Sequence, residues 1–164
     1  MKTLIIIRHA RSNDAKINET DFERSLSDRG KSEALAASDK LLSKIPSIDL
    51  ILSSSALRTK QTAEYFRKAL NCSAEKIKHL DGLYLASAEK IEELITSVEK
   101  DIDSLMVVCH NPGITDFVNG LIVNVRIDNM PTCGIFCVSV EIDNWEEFKT
   151  AEKLFLFFDS AGKN

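Results

Sequence analysis

Short aliphatic runs bounded by polar or glycine-containing segments punctuate the chain at residues 3–7, 49–52 and 105–109. Each is too short for a helix and rich in Ile, Leu or Val, the pattern of a strand buried on both faces, so all three are expected to be central parallel strands. Stretches 134–142 and 153–158 are also strand-like. Asp143-Asn144 and Trp145–Lys149 between them read as a turn and loop, so this pair is expected to run antiparallel toward one edge of the sheet.

Between the runs the period changes from strand-like to helical. Residues 30–42 carry Ala34, Leu35, Leu41 and Leu42, read as one apolar side, and residues 56–70 carry Ala63, Phe66 and Leu70. In residues 89–100, Ile91, Leu94, Ile95 and Val98 follow the i, i+3, i+4, i+7 rule without a miss. Asn111-Pro112 followed by Ile114, Phe117, Val118, Leu121 and Ile122 reads as an N-cap, a proline at the first helical position and an apolar stripe. Alternating strands and helices predict a three-layer α/β/α sandwich, with a mostly parallel central sheet and helices on both faces.

The chain has 164 residues, the size of one domain, and shows no internal repeat, low-complexity tract or linker, so residues 1–164 are expected to form a single domain. Hydrophobic residues make up 44% and charged residues 28%, the balance of a globular protein. A net charge of -4 argues against a broad nucleic-acid surface, which needs a basic stripe, so any phosphate site must be local. The first apolar run ends at Arg8-His9, well short of a signal peptide's hydrophobic region. No other run approaches membrane-spanning length, and a cytoplasmic location is expected. Cys72, Cys109, Cys133 and Cys137 form no CxxC pair. Cys133 and Cys137, read in one strand, would lie roughly 13 Å apart on one face, too far to share a metal. Ordinary buried thiols are expected.

Ligand sites of open parallel sheets lie beyond the carboxyl ends of the strands. Three such ends carry related chemistry: Arg8-His9 after the first run, Ser53 to Ser55 and then Arg58 after the second, and His110 after the third. Guanidinium forks pair with phosphate oxygens, and a neutral imidazole is a good nucleophile near pH 7. Nearby arginine charge also disfavours the imidazolium. Helix starts after Ser55 and Asn111 would add backbone N-H donors. Singly, each residue is explained as a salt-bridged strand end or a polar loop residue; two histidines and two arginines at three strand ends are hard to explain as packing. His79, in a predicted loop, is read as a solvated or structural residue.

The segment "IIIRHARSND" resembles the Arg-His signature of the histidine phosphatase superfamily, also called phosphoglycerate mutase-like. Three further segments resemble those of its SixA-type phosphohistidine phosphatases: "DFERSLSDRGKSEA", "ILSSSALRTKQTAEYF" and "VVCHNPGI". Order and spacing agree from Met1 to about Ile122. The resemblance implies the phosphoglycerate mutase-like fold, phosphorylation of His9, phosphoryl oxygens clamped by Arg8 and Arg58, and stabilisation of the transferring group by His110. Arg24 matches a family arginine, although an ion pair with Asp21 or Glu23 explains it as well. Larger members carry a general-acid Glu where this chain has "HLDGLYLAS", with Leu85 at the position sought, leaving Asp14, Asp21 and Asp81 as candidate proton donors. A weak or absent acid harms phosphohistidine hydrolysis less than ester hydrolysis, because imidazole leaves more readily than an alkoxide. The expected substrate is therefore a phosphohistidine-bearing protein, with neither metal nor cofactor. The alternatives are a small-molecule phosphomonoesterase and a phosphate-binding module without turnover.

Overall fold

The computed structural model describes residues 1–160. Its elements follow in the order β1 (Lys2–Arg8), α1 (Asp28–Leu42), β2 (Leu50–Ser54), α2 (Leu57–Ala69), β3 (Ile77–Leu80), α3 (Ala88–Thr96), β4 (Ser104–Cys109), α4 (Gly113–Leu121), β5 (Ile135–Val140) and β6 (Lys153–Asp159). They build one six-stranded sheet of order β3-β2-β4-β1-β5-β6. The pairs β3-β2, β2-β4 and β4-β1 are parallel, while β1-β5 and β5-β6 are antiparallel. The expected mostly parallel sheet and antiparallel terminal pair are both present.

Strand alternation divides the core into two layers. Leu4, Ile6, Leu105, Val107 and Phe136 point to the side covered by α3 and α4, where they join Ile91, Ile95, Ile114 and Val118. Ile5, Ile7, Met106, Val108 and Ile135 point to the other side and pack on Ala34, Leu41, Ala63 and Phe66 of α1 and α2. This is the expected three-layer arrangement. Among the described residues no helix is long and apolar enough to cross a membrane.

The structure corrects or sharpens several details of the sequence reading. Leu35 and Leu42 of α1 are exposed, and the stripe that faces the sheet is Ala34, Ala37, Ser38 and Leu41, which obeys the i, i+3, i+4, i+7 spacing that Leu35 and Leu42 interrupt. His79 lies in edge strand β3, where Ser53 is its partner on β2, and its side chain faces solvent. Four residues with a polar exposed face gave that strand no apolar run to be read from. Residues 145–149 form a 3-10 turn that buries Trp145 and Phe148, with the indole Nε1 donating to the Ile102 carbonyl at 2.8 Å. Cys133 precedes β5 in a turn with φ of 54°, so the strand spacing used for Cys133 and Cys137 does not apply; all four cysteines are buried free thiols.

Two close approaches require glycine. A Cβ at Gly30, in the first turn of α1, would stand 1.9 Å from the Arg11 carbonyl oxygen, and one at Gly113, at the start of α4, 1.8 Å from that of Ala86. Gly120 of α4 has open space instead. Gly30→Ala and Gly113→Ala should each lower unfolding free energy by at least about 1–3 kcal/mol, the cost of overpacking against backbone. Gly120→Ala should be neutral or stabilising by up to about 1 kcal/mol. Urea midpoints test the contrast; equal midpoints for all three variants would refute it.

Candidate active site

Parallel neighbours in matched register end at one level. Arg8 pairs with Cys109 across β1-β4, and Ser53 with Val108 across β2-β4, so the residues following β1, β2 and β4 are brought to the same sheet edge. The His9 and His110 ring centroids lie 5.2 Å apart there. Arg58, in the first turn of α2, reaches both: its Nε is 3.4 Å from His9 Nε2, and its Nη2 is 3.4 Å from His110 Nδ1. Relative exposures of 8% for His9, 3% for Arg58 and 2% for His110 place polar, titratable side chains in buried surroundings, a costly arrangement of the kind found at functional sites.

The surroundings fix the histidines' tautomers. His9 Nδ1 lies 2.7 Å from the Ala10 carbonyl oxygen, which only accepts, so Nδ1 carries the hydrogen and Nε2 keeps its lone pair. The neighbouring backbone is pinned: Ala10 N donates to Thr62 Oγ1, and Cys133 N donates to the Arg8 and His9 carbonyl oxygens. His110 Nε2 is 2.7 Å from Ser54 Oγ, and with Arg58 donating to Nδ1, Nε2 is the nitrogen that bears hydrogen. Both rings are held neutral. Burial is the first cause, pushing His9 down to about 4 and His110 to about 3; Arg58 and Arg8 add repulsion at both, and His9 does so at His110.

These depressions give stability a pH dependence of known sign. Unfolded, both imidazoles protonate near 6.5; folded, they resist protonation down to about 4 and about 3. Between those limits the unfolded chain binds more protons, so this contribution is complete only above about pH 6.5 and falls as pH drops through the window. A His9→Gln/His110→Gln variant should lose less thermal stability than wild type between pH 7 and pH 4.5. Parallel melting curves over that range would contradict the assignment.

Arg8 Nη1 donates to the Met130 carbonyl at 2.8 Å, while its Nε is buried with no partner. Arg8, Arg11, Arg24 and Arg58 line a cavity of about 270 Å³ with His9, Ser12 and Thr132. Four guanidinium groups without a carboxylate in the lining make an anion site on a chain of net charge -4. Hollows of about 460 Å³ elsewhere, one lined by Lys31, Lys60 and Lys68 and one beside β3, bring no such set together. Among the described residues no group of three or more His, Cys, Asp or Glu side chains is placed to hold a metal ion.

All four residues singled out from the sequence, Arg8, His9, Arg58 and His110, thus meet at one place. The three candidate proton donors do not behave alike. Asp14 and Asp81 are exposed, Asp81 opening a 3-10 turn. Asp21 is held as a carboxylate: Tyr84 Oη donates to it at 2.6 Å, and Arg24 and Arg58 pair with it at 2.9 and 3.0 Å, keeping its carboxyl well below the usual range. Those partners oppose a role as proton donor. Sequence reasoning missed Tyr84, whose ring meets His110 edge-on at 5.5 Å and which lies beside the Leu85 position searched for an acid. It also misassigned Asn111. The N-cap of α4 is Pro112, after a cis peptide bond, and the Asn111 side chain accepts from Thr115 Oγ1 and donates to Met130 O, bracing the loop that Arg8 grips.

Residues 4–106 match the Histidine phosphatase superfamily (branch 1). An uncharacterized chloroplastic protein of Arabidopsis thaliana is 26% identical over 157 residues, covering 89% of this chain and 70% of its own length. Among solved structures, one assigned to the phosphohistidine phosphatase SixA of Agrobacterium tumefaciens superposes with a TM-score of 0.82 at 26% identity, covering 97% of both chains. A structure of the protein histidine phosphatase SixA complexed with tungstate superposes with a TM-score of 0.80 at 22% identity, covering 96% of each chain. At that identity the second likeness concerns the fold.

Proposed function

The chain belongs to the histidine phosphatase superfamily, and we propose that it hydrolyses phosphohistidine on proteins, with His9 as the phosphoryl acceptor. The observation that carries this reading is a buried imidazole whose Nε2 lone pair faces the Arg58 fork, opposite a second neutral histidine. His9 Nε2 forms a bond to phosphorus as the bond to the substrate imidazole nitrogen breaks. Water then attacks the phosphohistidine and releases inorganic phosphate and neutral His9. Arg8 and Arg58 pair with the phosphoryl oxygens, and His110 stabilises charge on the transferring group.

The leaving group supports this substrate class. The cavity lining holds arginines, one histidine, a serine and a threonine but no carboxylic acid, and the nearby Asp21 is held ionised. Hydrogen bonding to Asp21 also pushes the Tyr84 hydroxyl above its ordinary value, making it a poorer acid. A phosphohistidine whose distal ring nitrogen already carries a proton departs as neutral imidazole without such a donor, whereas an alkoxide needs one. A tetrahedral oxyanion matches the charge of the arginine-lined cavity, and the SixA structure with tungstate makes tungstate an apt probe.

On a phosphohistidine peptide, kcat/KM should exceed that on a phosphoserine peptide or 3-phosphoglycerate by at least about tenfold, or about 1.4 kcal/mol in transition-state stabilisation. Spontaneous phosphohistidine hydrolysis must be subtracted. A better small phosphomonoester would overturn the substrate assignment. Binding of tungstate with no turnover of any phosphorylated compound would leave a binding module.

A further inference from the structure

Arg58 offers two forks, and only one carries short bonds. The end-on pair, Nη1 and Nη2, donates to the Asp21 carbonyl oxygen at 2.6 Å and to Asp21 Oδ2 at 3.0 Å. The side-on pair, Nε and Nη2, faces His9 Nε2 and His110 Nδ1 at 3.4 Å each, long for hydrogen bonds. Because the guanidinium is planar and rigid, holding its end fixes the direction of its side. The side-on edge, held only by these two long contacts, is thereby aimed between the two histidines.

We propose that Asp21 is a positioning residue, gripping Arg58 end-on so that its side-on fork is already oriented for two phosphoryl oxygens, and that Tyr84 keeps Asp21 in place. This rests on the reading that His9 accepts the phosphoryl group. Asp21 is anchored although its side chain is 44% exposed: Arg24 holds Oδ1, and Arg58 and Tyr84 share Oδ2. Tyr84 is wedged between Phe22, edge-on at 5.0 Å, and His110, edge-on at 5.5 Å. The 3-10 turn Asp21–Glu23 is tied at its start by Thr20, whose backbone N and hydroxyl both donate to Glu23 Oε2. A carboxylate beside a dianion's site repels that ligand, so its benefit must lie in orientation. Orientation and affinity can therefore be separated.

In Asp21→Asn and Asp21→Ala, kcat on phosphohistidine peptide should fall by about thirtyfold or more, as loss of preorganisation does, while tungstate inhibition stays within about threefold or tightens. Tyr84→Phe should cost about fivefold and add nothing in the Asp21→Asn background, because it acts through the same carboxylate. Thermal midpoints should fall only modestly, because Arg58 keeps the Asp21 carbonyl oxygen at 2.6 Å as a partner in both variants. The proposal is overturned if kcat in both Asp21 variants stays within about twofold of wild type, or if kcat, tungstate affinity and thermal midpoint decline together, the mark of general structural damage. Rapid quench separates this from failure of the underlying reading. Wild type that never labels His9 removes both, whereas equal labelling rates in wild type and Asp21→Asn remove the positioning role alone.

Discussion

Replacing His9 with Ala is expected to abolish turnover, by on the order of ten-thousandfold or more, as loss of a covalent nucleophile does. No neighbouring group can substitute. His110 Nε2 faces Ser54 Oγ, its Nδ1 lies beside Arg58, and both positions are buried. The fold should survive, because the variant removes a buried imidazole crowded by Arg58, Arg8 and Arg24. Steady-state rates on phosphohistidine peptide, with circular dichroism to confirm folding, provide the check. A folded His9→Ala protein with more than about one per cent of wild-type kcat would exclude His9 as nucleophile, because that loss is far below the expected one.

The second large effect is expected at Arg58. Arg58→Ala should cost on the order of a hundredfold or more in kcat, since the guanidinium would neutralise charge on the transferring phosphoryl group inside a buried site. Arg58→Lys should recover little of this. An ammonium supplies the charge but not the two parallel N-H groups that face His9 Nε2 and His110 Nδ1 while the other edge is held by Asp21. If Arg58→Lys retains wild-type kcat, bidentate geometry is not what Arg58 contributes.

Long-range placement was legible in the sequence because it depends on strand ends. Once residues 3–7 and 105–109 are read as adjacent parallel strands, His9 and His110 must emerge side by side, as their 5.2 Å ring separation shows. Which strands neighbour one another was open, and the pairing of β4 with both β1 and β2 completes the site. Residues acting through side-chain geometry were less legible. Asp21 read as a candidate acid because a carboxylate's protonation is decided by partners distant in sequence, here Arg58 and Tyr84. The spacing of Asp21 and Arg24 was a local signal for their ion pair, but nothing local pointed to Tyr84. Leu35 and Leu42 were assigned to the buried stripe by hydrophobicity, whereas angular position around the helix selects Ala37 and Ser38.

The central claim is that phosphorus passes through His9 Nε2. Rapid quench with a phosphohistidine substrate carrying labelled phosphoryl should trap acid-labile, base-stable label on the peptide containing His9, appearing at least as fast as turnover and absent from His9→Ala. Wild-type protein that turns over at its normal rate without ever carrying label on His9 would contradict the account.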